Sequence, residues 1–315
     1  MPLRLHIDTD CGVDDALALA MLARSRDAVD VVSVSAVFGN TYVDQSAANA
    51  RGVLRLAGCP AEVYIGAGSG VAKRRVERMR PAHGVDGLNG AGFSQRWKLP
   101  ELDRGQGGSL LAFRARAKVA GLFLGPLTNL AHGLLEDPGA FRGWRPTIMA
   151  GAFGVEGKAA GGADFNSWSD AEALARVLER GVLPRLVPLD VSSRVTLTAQ
   201  AMAEGSAACG SPLSARLNKA LGPYMAFHSK AWGLEAGCHP HDAVVAASLV
   251  APDLFTFEPA RLRVMTDGEH LGRIERVEGE PNAEVCVAVD AAAVEALLLA
   301  RLFCAPALDA ALSPA

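Results

Sequence analysis

Cysteine is sparse in this chain and never closely paired. Cys11, Cys59, Cys209, Cys238, Cys286 and Cys304 are scattered along it, which excludes the common zinc spacings and gives no disulfide framework. No apolar run is long enough to span a bilayer, and the opening Met-Pro-Leu-Arg lacks a signal-peptide pattern. A reducing cytoplasm, with no membrane partner, is the expected compartment. Excess positive charge is missing too: 31 Lys and Arg stand against 34 Asp and Glu, for a net charge of −3 and a pI near 6.2. That balance argues against a nucleic-acid partner. No Gly-x-Ser-x-Gly or Cys-His arrangement offers a protein nucleophile, and no Gly-x-x-x-x-Gly-Lys-Ser/Thr loop offers a triphosphate site. Repeats, linkers and low-complexity tracts are lacking as well, so residues 1–315 are expected to form a single domain. Half the residues are hydrophobic, enough to bury a sizeable core.

What the chain does have is a concentration of acid. Asp8-Thr9-Asp10-Cys11-Gly12-Val13-Asp14-Asp15 follows the apolar Leu3, Leu5 and Ile7, which read as a strand, and precedes the helix-favouring Ala16 to Leu22. Two such carboxylates about 4 Å apart repel by roughly 4 kcal/mol at an effective dielectric of about 20. Four in one strand-to-helix turn therefore require raised pKa values or a cation. All four are hard oxygen ligands suited to Ca²⁺ or Mg²⁺, and Asp14 and Asp15 sit where a helix N-terminus favours negative charge. The alternative is that one Asp caps the helix and the others are solvated.

Strand and helix patterns alternate from there. Val29 to Phe38 reads as a buried parallel strand, Asp44 to Leu56 as a helix and Ala61 to Ile65 as a strand. Gly66 to Gln106 loses periodicity and reads as a functional or mobile loop. Helix is expected over Ser109 to Lys118, strand over Val119 to Leu124, and then a helix with Pro126 near its first position. Strands follow at Pro146 to Ala150 and Leu183 to Leu189, on either side of a helix over Asp170 to Arg180 capped by Ser169. Further helices are read at Thr198 to Ala203, Ser211 to Lys230, from the segment Gly237 to Asp242 on to Leu249, and Ala291 to Phe303, with strands at Phe255 to Met265 and Ala283 to Val289. The alternation predicts an α/β fold with a mostly parallel central sheet flanked by helices, with ligands at the strand ends.

Polar residues gather at those ends: Asn40, His83, Thr128, Asp164-Phe165-Asn166 and His241-Asp242. They supply hard metal ligands, amides suited to hydroxyls and two histidines able to move protons. Metal-assisted hydrolysis of a polyhydroxylated substrate fits that inventory, with an Asp taking a proton from metal-bound water. Each residue also has a structural reading. Asp242 can cap the helix after it, Thr128 can be one residue of a first helical turn, Asn40 and Asn166 can satisfy turns, and His83 can be solvated on its loop. His6, His132, His228, His239 and His270 read as structural. Asp8-Thr9-Asp10 is also similar to the phosphatases that form an aspartyl-phosphate, but Gly12 stands where those need Thr or Val.

Taken together, Asp-x-Asp-x-Gly-x-Asp-Asp, Val37-Phe38-Gly39-Asn40, His83-Gly84-Val85-Asp86-Gly87-Leu88, Leu124-Gly125-Pro126-Leu127-Thr128-Asn129-Leu130-Ala131, Asp164-Phe165-Asn166 and His241-Asp242 resemble the inosine-uridine preferring nucleoside hydrolases. Those are calcium-dependent N-ribohydrolases, and the resemblance covers nearly the whole chain. It implies that Asp10, Asp15, Asp242 and the Thr128 carbonyl hold Ca²⁺, and that Asp10 deprotonates the calcium-bound water that attacks C1′. Asp14, Asn40 and Asn166 would bind ribose hydroxyls, Met149 would wall the sugar, and Asp164 would lie near its 5′ side. His83 and His241 would line the base side, with His241 protonating the leaving base because a histidine titrates near neutrality. Base-facing residues are also expected between Tyr224 and Trp232. The implied partners are a nucleoside substrate and further copies of the chain in a homodimer or homotetramer. Three departures stand out: Cys11 replaces the usual Pro, Asp164 the usual Glu, and Lys158 the usual Asn. They raise two alternatives, a calcium-dependent ribose-binding protein with little turnover and a hydrolase for 5′-modified nucleosides.

Overall fold

The computed structural model describes residues 1–72, 77–94 and 107–303. Its strands are β1 (Leu3–Thr9), β2 (Val29–Ala36), β3 (Glu62–Ile65), β4 (Ala120–Phe123), β5 (Thr147–Met149), β6 (Arg185–Val187), β7 (Leu197–Thr198), β8 (Gly237–Cys238), β9 (Phe255–Val264), β10 (Ile274–Val277) and β11 (Ala283–Val289). Nine of them form one sheet in the order β10-β9-β11-β6-β5-β4-β1-β2-β3, and β7 pairs with β8 separately. From β3 across to β11 every pair is parallel, and only β9 and β10 run antiparallel to their neighbours. The expected α/β architecture with a mostly parallel sheet and flanking helices is what forms.

The chain leaves β1 toward β2 and β3, then returns to place β4 on β1's other side. Neighbouring crossovers diverge there, opening a crevice at the carboxyl ends of β1 and β4, where ligands bind in open α/β sheets. The acidic turn leaves β1 at that point. It leads into the helix Val13–Arg24, whose residues from Val13 to Ala23 are all buried. This helix is apolar all round, as a helix enclosed by other elements must be. It packs on the equally buried helix His241–Val250. Burying Leu17, Leu19, Met21 and Leu22 contributes about 1.5–3 kcal/mol each.

Element boundaries differ from expectation in three instructive places. The helix after β4 runs Thr128–Glu136 behind Leu127, so Pro126 precedes it and does not occupy its first turn. The helix Ala171–Glu179 is capped by Asp170, whose carboxylate accepts the Ala173 N–H at 3.3 Å, and not by Ser169. β10 escapes the sequence pattern because it has only four residues of mixed exposure on the sheet's edge. Much of the expected Gly66 to Gln106 loop, residues 73–76 and 95–106, lies outside the described residues, as does Cys304.

Candidate active site

Three of the four acidic-turn carboxylates gather, and the fourth does not. Asp14, Asp15 and Asp242 bring ligand oxygens within 4.8 Å of one another, all buried. Asp10 stands beside them, its Oδ2 accepting the Asn40 backbone N–H at 2.6 Å. The Asn40 side-chain amide spans Asp10 Oδ1 at 3.2 Å and Asp15 Oδ2 at 3.3 Å. Asn40 therefore joins two carboxylates. Asp15 is fixed further by the Thr9 hydroxyl at 2.5 Å and the Gly12 N–H at 2.8 Å, the latter closing the start of its helix. Asp8 belongs elsewhere: its Oδ2 accepts from Ser35 and from Asn129 Nδ2. It is still inside β1, opposite Ser35 of β2, and so shares a sheet face with His6 in place of joining the turn.

Space around Asp10 is set by glycine. A Cβ at Gly39 would overlap Asp10 Oδ2, and one at Gly12 would lie 2.6 Å from His83 Nδ1. Cys11 has φ 34°, a left-handed conformation that proline cannot reach. Its amide donates to Thr9 Oγ1 at 3.0 Å. Burial and the surrounding carboxylates push its thiol well up, so it stays protonated.

Burial also pushes these carboxylates up. Asp14 reaches about 7 through burial and then the Asp15 charge. Asp10 is raised by burial and Asp15 against the Asn40 N–H, and Asp242 by burial and then Asp14, Asp15 and Asp10. Among the described residues no Lys or Arg forms an ion pair with the group. Clustered hard oxygens with no ion-paired Lys or Arg among the described residues suit a hard divalent cation, so the donor set fits a metal ion.

Asp14 and Asp242 face a cleft that Asn40, His83, Met149, Lys158, Asp164, Asn166 and His241 also line. Thr128 is not among the lining residues; it is buried at the head of its helix, where its hydroxyl donates to Asp170 Oδ2 at 2.5 Å. His83 is no solvated loop residue. It ends the short helix Arg80–His83, is 5% exposed, and accepts the Val13 N–H on Nδ1 at 3.0 Å. Asn166 gives its amide to the Leu124 carbonyl at 2.7 Å and the Met149 carbonyl at 3.2 Å, leaving its own carbonyl oxygen to offer a ligand. Asp164 caps the helix Phe165–Ser169, with Oδ1 accepting from Ser167 N at 3.0 Å and Oδ2 from Gly151 N at 2.8 Å.

A family model for the inosine-uridine preferring nucleoside hydrolases matches residues 5–296. This chain belongs to that family. The nucleoside hydrolase is similar to the probable uridine nucleosidase 2 of Arabidopsis thaliana, at 30% identity over 318 residues covering 95% of this chain and 97% of the relative. It is similar also to the non-specific ribonucleoside hydrolase RihC of Escherichia coli (strain SMS-3-5 / SECEC), at 31% identity over 275 residues covering 85% and 86%. Among solved structures, the plant nucleoside hydrolase PpNRh1 superposes with a TM-score of 0.87 at 26% identity, covering 97% of this chain and 100% of that one. An inosine-guanosine nucleoside hydrolase shares the fold, with a TM-score of 0.84.

One wall of the nucleoside hydrolase's cleft was only half legible. Tyr224, His228 and Trp232, spaced four apart on the helix Pro212–Trp232, all line it, which puts His228 in the site and not in the structural class. That i, i+4, i+8 spacing on one helix face was the available signal. Tyr224 packs between His83 and His228, with ring centroids at 5.3 and 4.4 Å. His228, His239 and His241 lie 5.8 Å apart pairwise. Burial lowers His83 and His228 to about 3 and takes His241 well below its ordinary value. Against the expectation of a histidine titrating near neutrality, burial favours the neutral imidazole at His241, whose Nδ1 pairs with Ser192 Oγ at 2.8 Å.

Proposed function

We infer that this enzyme hydrolyses the N-glycosidic bond of purine and/or pyrimidine ribonucleosides to ribose and free base, with residues 1–315 acting as one unit. The observation that carries this reading is the group of buried carboxylates at the floor of an aromatic-walled cleft. Asp10, Asp15, Asp242 and the Thr128 carbonyl are the residues that would hold Ca²⁺. When bound, the ion would supply charge to orient the ribose diol and to acidify the attacking water. Asp10 accepts that water's proton, in a role worth about 10²–10⁴-fold in rate. Asn40 keeps Asp10 aimed. Asp14 and the Asn166 carbonyl oxygen accept hydrogen bonds from ribose hydroxyls, and Met149 bounds the sugar.

As the bond to the base breaks, positive character grows on the ribose ring, and fixed anionic oxygens beneath it stabilise that state. The base lies against His83, Tyr224 and His228. His241, with Nδ1 paired to Ser192, has Nε2 left to donate to the departing base. The test is release of free base from a purine and pyrimidine nucleoside panel, with calcium and with chelator, for the native enzyme and Asp10→Asn. Calcium-dependent release lost in the variant is expected. Tight nucleoside binding without release would make this a calcium-dependent binding protein.

A further inference from the structure

Lys158 is the one lysine or arginine lining the cleft among the described residues. It projects from a tight turn in which Gly157 N–H donates to the Gly162 carbonyl at 2.9 Å and Ala159 N–H to the Ala163 carbonyl at 3.2 Å. A Cβ at Gly157 would overlap the Ala163 carbonyl, so this turn needs glycine there. The Lys158 ammonium lies 4.4 Å from the ring centroid of Trp232, reaching from the loop wall to the last residue of the opposite helix. A cation over an aromatic face is held in place without being neutralised. Asp164 lines the same cleft, but its two oxygens are turned to the backbone N–H groups of Ser167 and Gly151 and not to Lys158. Among the described residues, no carboxylate forms an ion pair with Lys158.

A nucleoside presents three parts to such a cleft: the diol, the base and the 5′ substituent. The carboxylate floor suits the diol, and the ring wall of His83, Tyr224 and His228 suits the base. The loop carrying Lys158 and Asp164 meets that wall at Trp232, about two turns beyond Tyr224, and the resemblance to the nucleoside hydrolases puts the 5′ side by Asp164. A neutral 5′ hydroxyl meets there a fixed cation and a carboxylate with both oxygens already engaged. We propose that Lys158 selects ribosyl substrates bearing an anionic group, a phosphate or a carboxylate, on the 5′ carbon. This rests on the hydrolase reading for the way the substrate lies.

The test compares kcat/KM for inosine and uridine, each as the plain nucleoside, the 5′-monophosphate and the 5′-carboxylate. It also compares binding of ribose and ribose 5-phosphate by calorimetry, in the native enzyme, Lys158→Ala and Lys158→Arg. A charge-assisted hydrogen bond predicts a preference of about ten- to a hundredfold for the anionic forms. That ratio should collapse toward one in Lys158→Ala, survive in Lys158→Arg and shrink with added salt. A response to phosphate but not carboxylate, or the reverse, identifies which anion the site takes. Base release with no preference, or a preference unchanged in Lys158→Ala, overturns the proposal and leaves the hydrolase reading intact. No base release, with Lys158-dependent tightening for ribose 5-phosphate, sustains the proposal and overturns the hydrolase reading.

Discussion

The carboxylate group makes a prediction whose sign depends on what is bound. Asp14, Asp15 and Asp242 oxygens lie within 4.8 Å, so each ionised pair repels by at least about 3.5 kcal/mol at an effective dielectric of about 20. Protonation relieves part of that in metal-free protein. Asp242→Asn keeps the shape and removes one charge, and in chelator it is expected to stabilise the fold by about 1–2 kcal/mol. For 315 residues the unfolding entropy is on the order of 0.66 kcal/mol/K, so that gain raises Tm by about 2–3 °C. With calcium at a hundred times its Kd, the native protein gains about 2.7 kcal/mol, or about 4 °C. The variant, having lost a ligand, should bind calcium at least about tenfold more weakly and show little of that shift. Differential scanning calorimetry of both proteins, in chelator and across a calcium series, measures all four values. The reasoning is refuted if Asp242→Asn melts lower than the native protein in chelator, or if calcium raises both melting points equally.

Three further outcomes are expected. His6 is buried between Ser33 Oγ at 2.8 Å and Ser35 Oγ at 2.9 Å, and burial lowers it from 6.5 to about 3. Between those values the unfolded chain binds a proton that the native state does not, so stability falls as pH falls. His6→Gln should lessen that slope by about 1.4 kcal/mol per pH unit in urea titrations between pH 6 and 4. Gly39→Ala places a methyl against Asp10 Oδ2 and should cut kcat for base release by about 10²-fold or more, read in a steady-state assay. Asp164→Ala removes both a helix cap and the partner of Gly151 N–H, costing about 1–3 kcal/mol, visible as a Tm drop of about 2–5 °C.

The sheet and its buried helix were legible because each has a period that sequence displays. Val13–Arg24 needs no amphipathic stripe, and its unbroken Ala/Leu run says so. Asp10, Asp14 and Asp15 were legible as a group because a strand running straight into a helix leaves them little room to separate. Asp8 was misread with them because sequence does not record which face of β1 a side chain takes. In the structure it sits with His6 among Ser33, Ser35 and Asn129. Asp164 lines the cleft as its motif suggests, but nothing in its spacing announces that Gly151, thirteen residues earlier in the chain, returns to its carboxylate. The lowered pKa of His241 comes first from burial and then from His228, His239 and His83 around it, a tertiary enclosure with no local signature.

The helices Val13–Arg24 and His241–Val250 lie against each other in the deepest part of the molecule, and each carries acidic residues at its start. Asp14 and Asp15 thus keep their distance from Asp242 through a joint that surface loops do not bear on. The loop holding Lys158 and the far end of the Pro212–Trp232 helix stand outside that joint. Substitutions there can retune which molecules are admitted while the bond-breaking apparatus stays in register, so within this architecture diversification of substrate and preservation of chemistry fall to different parts of the chain.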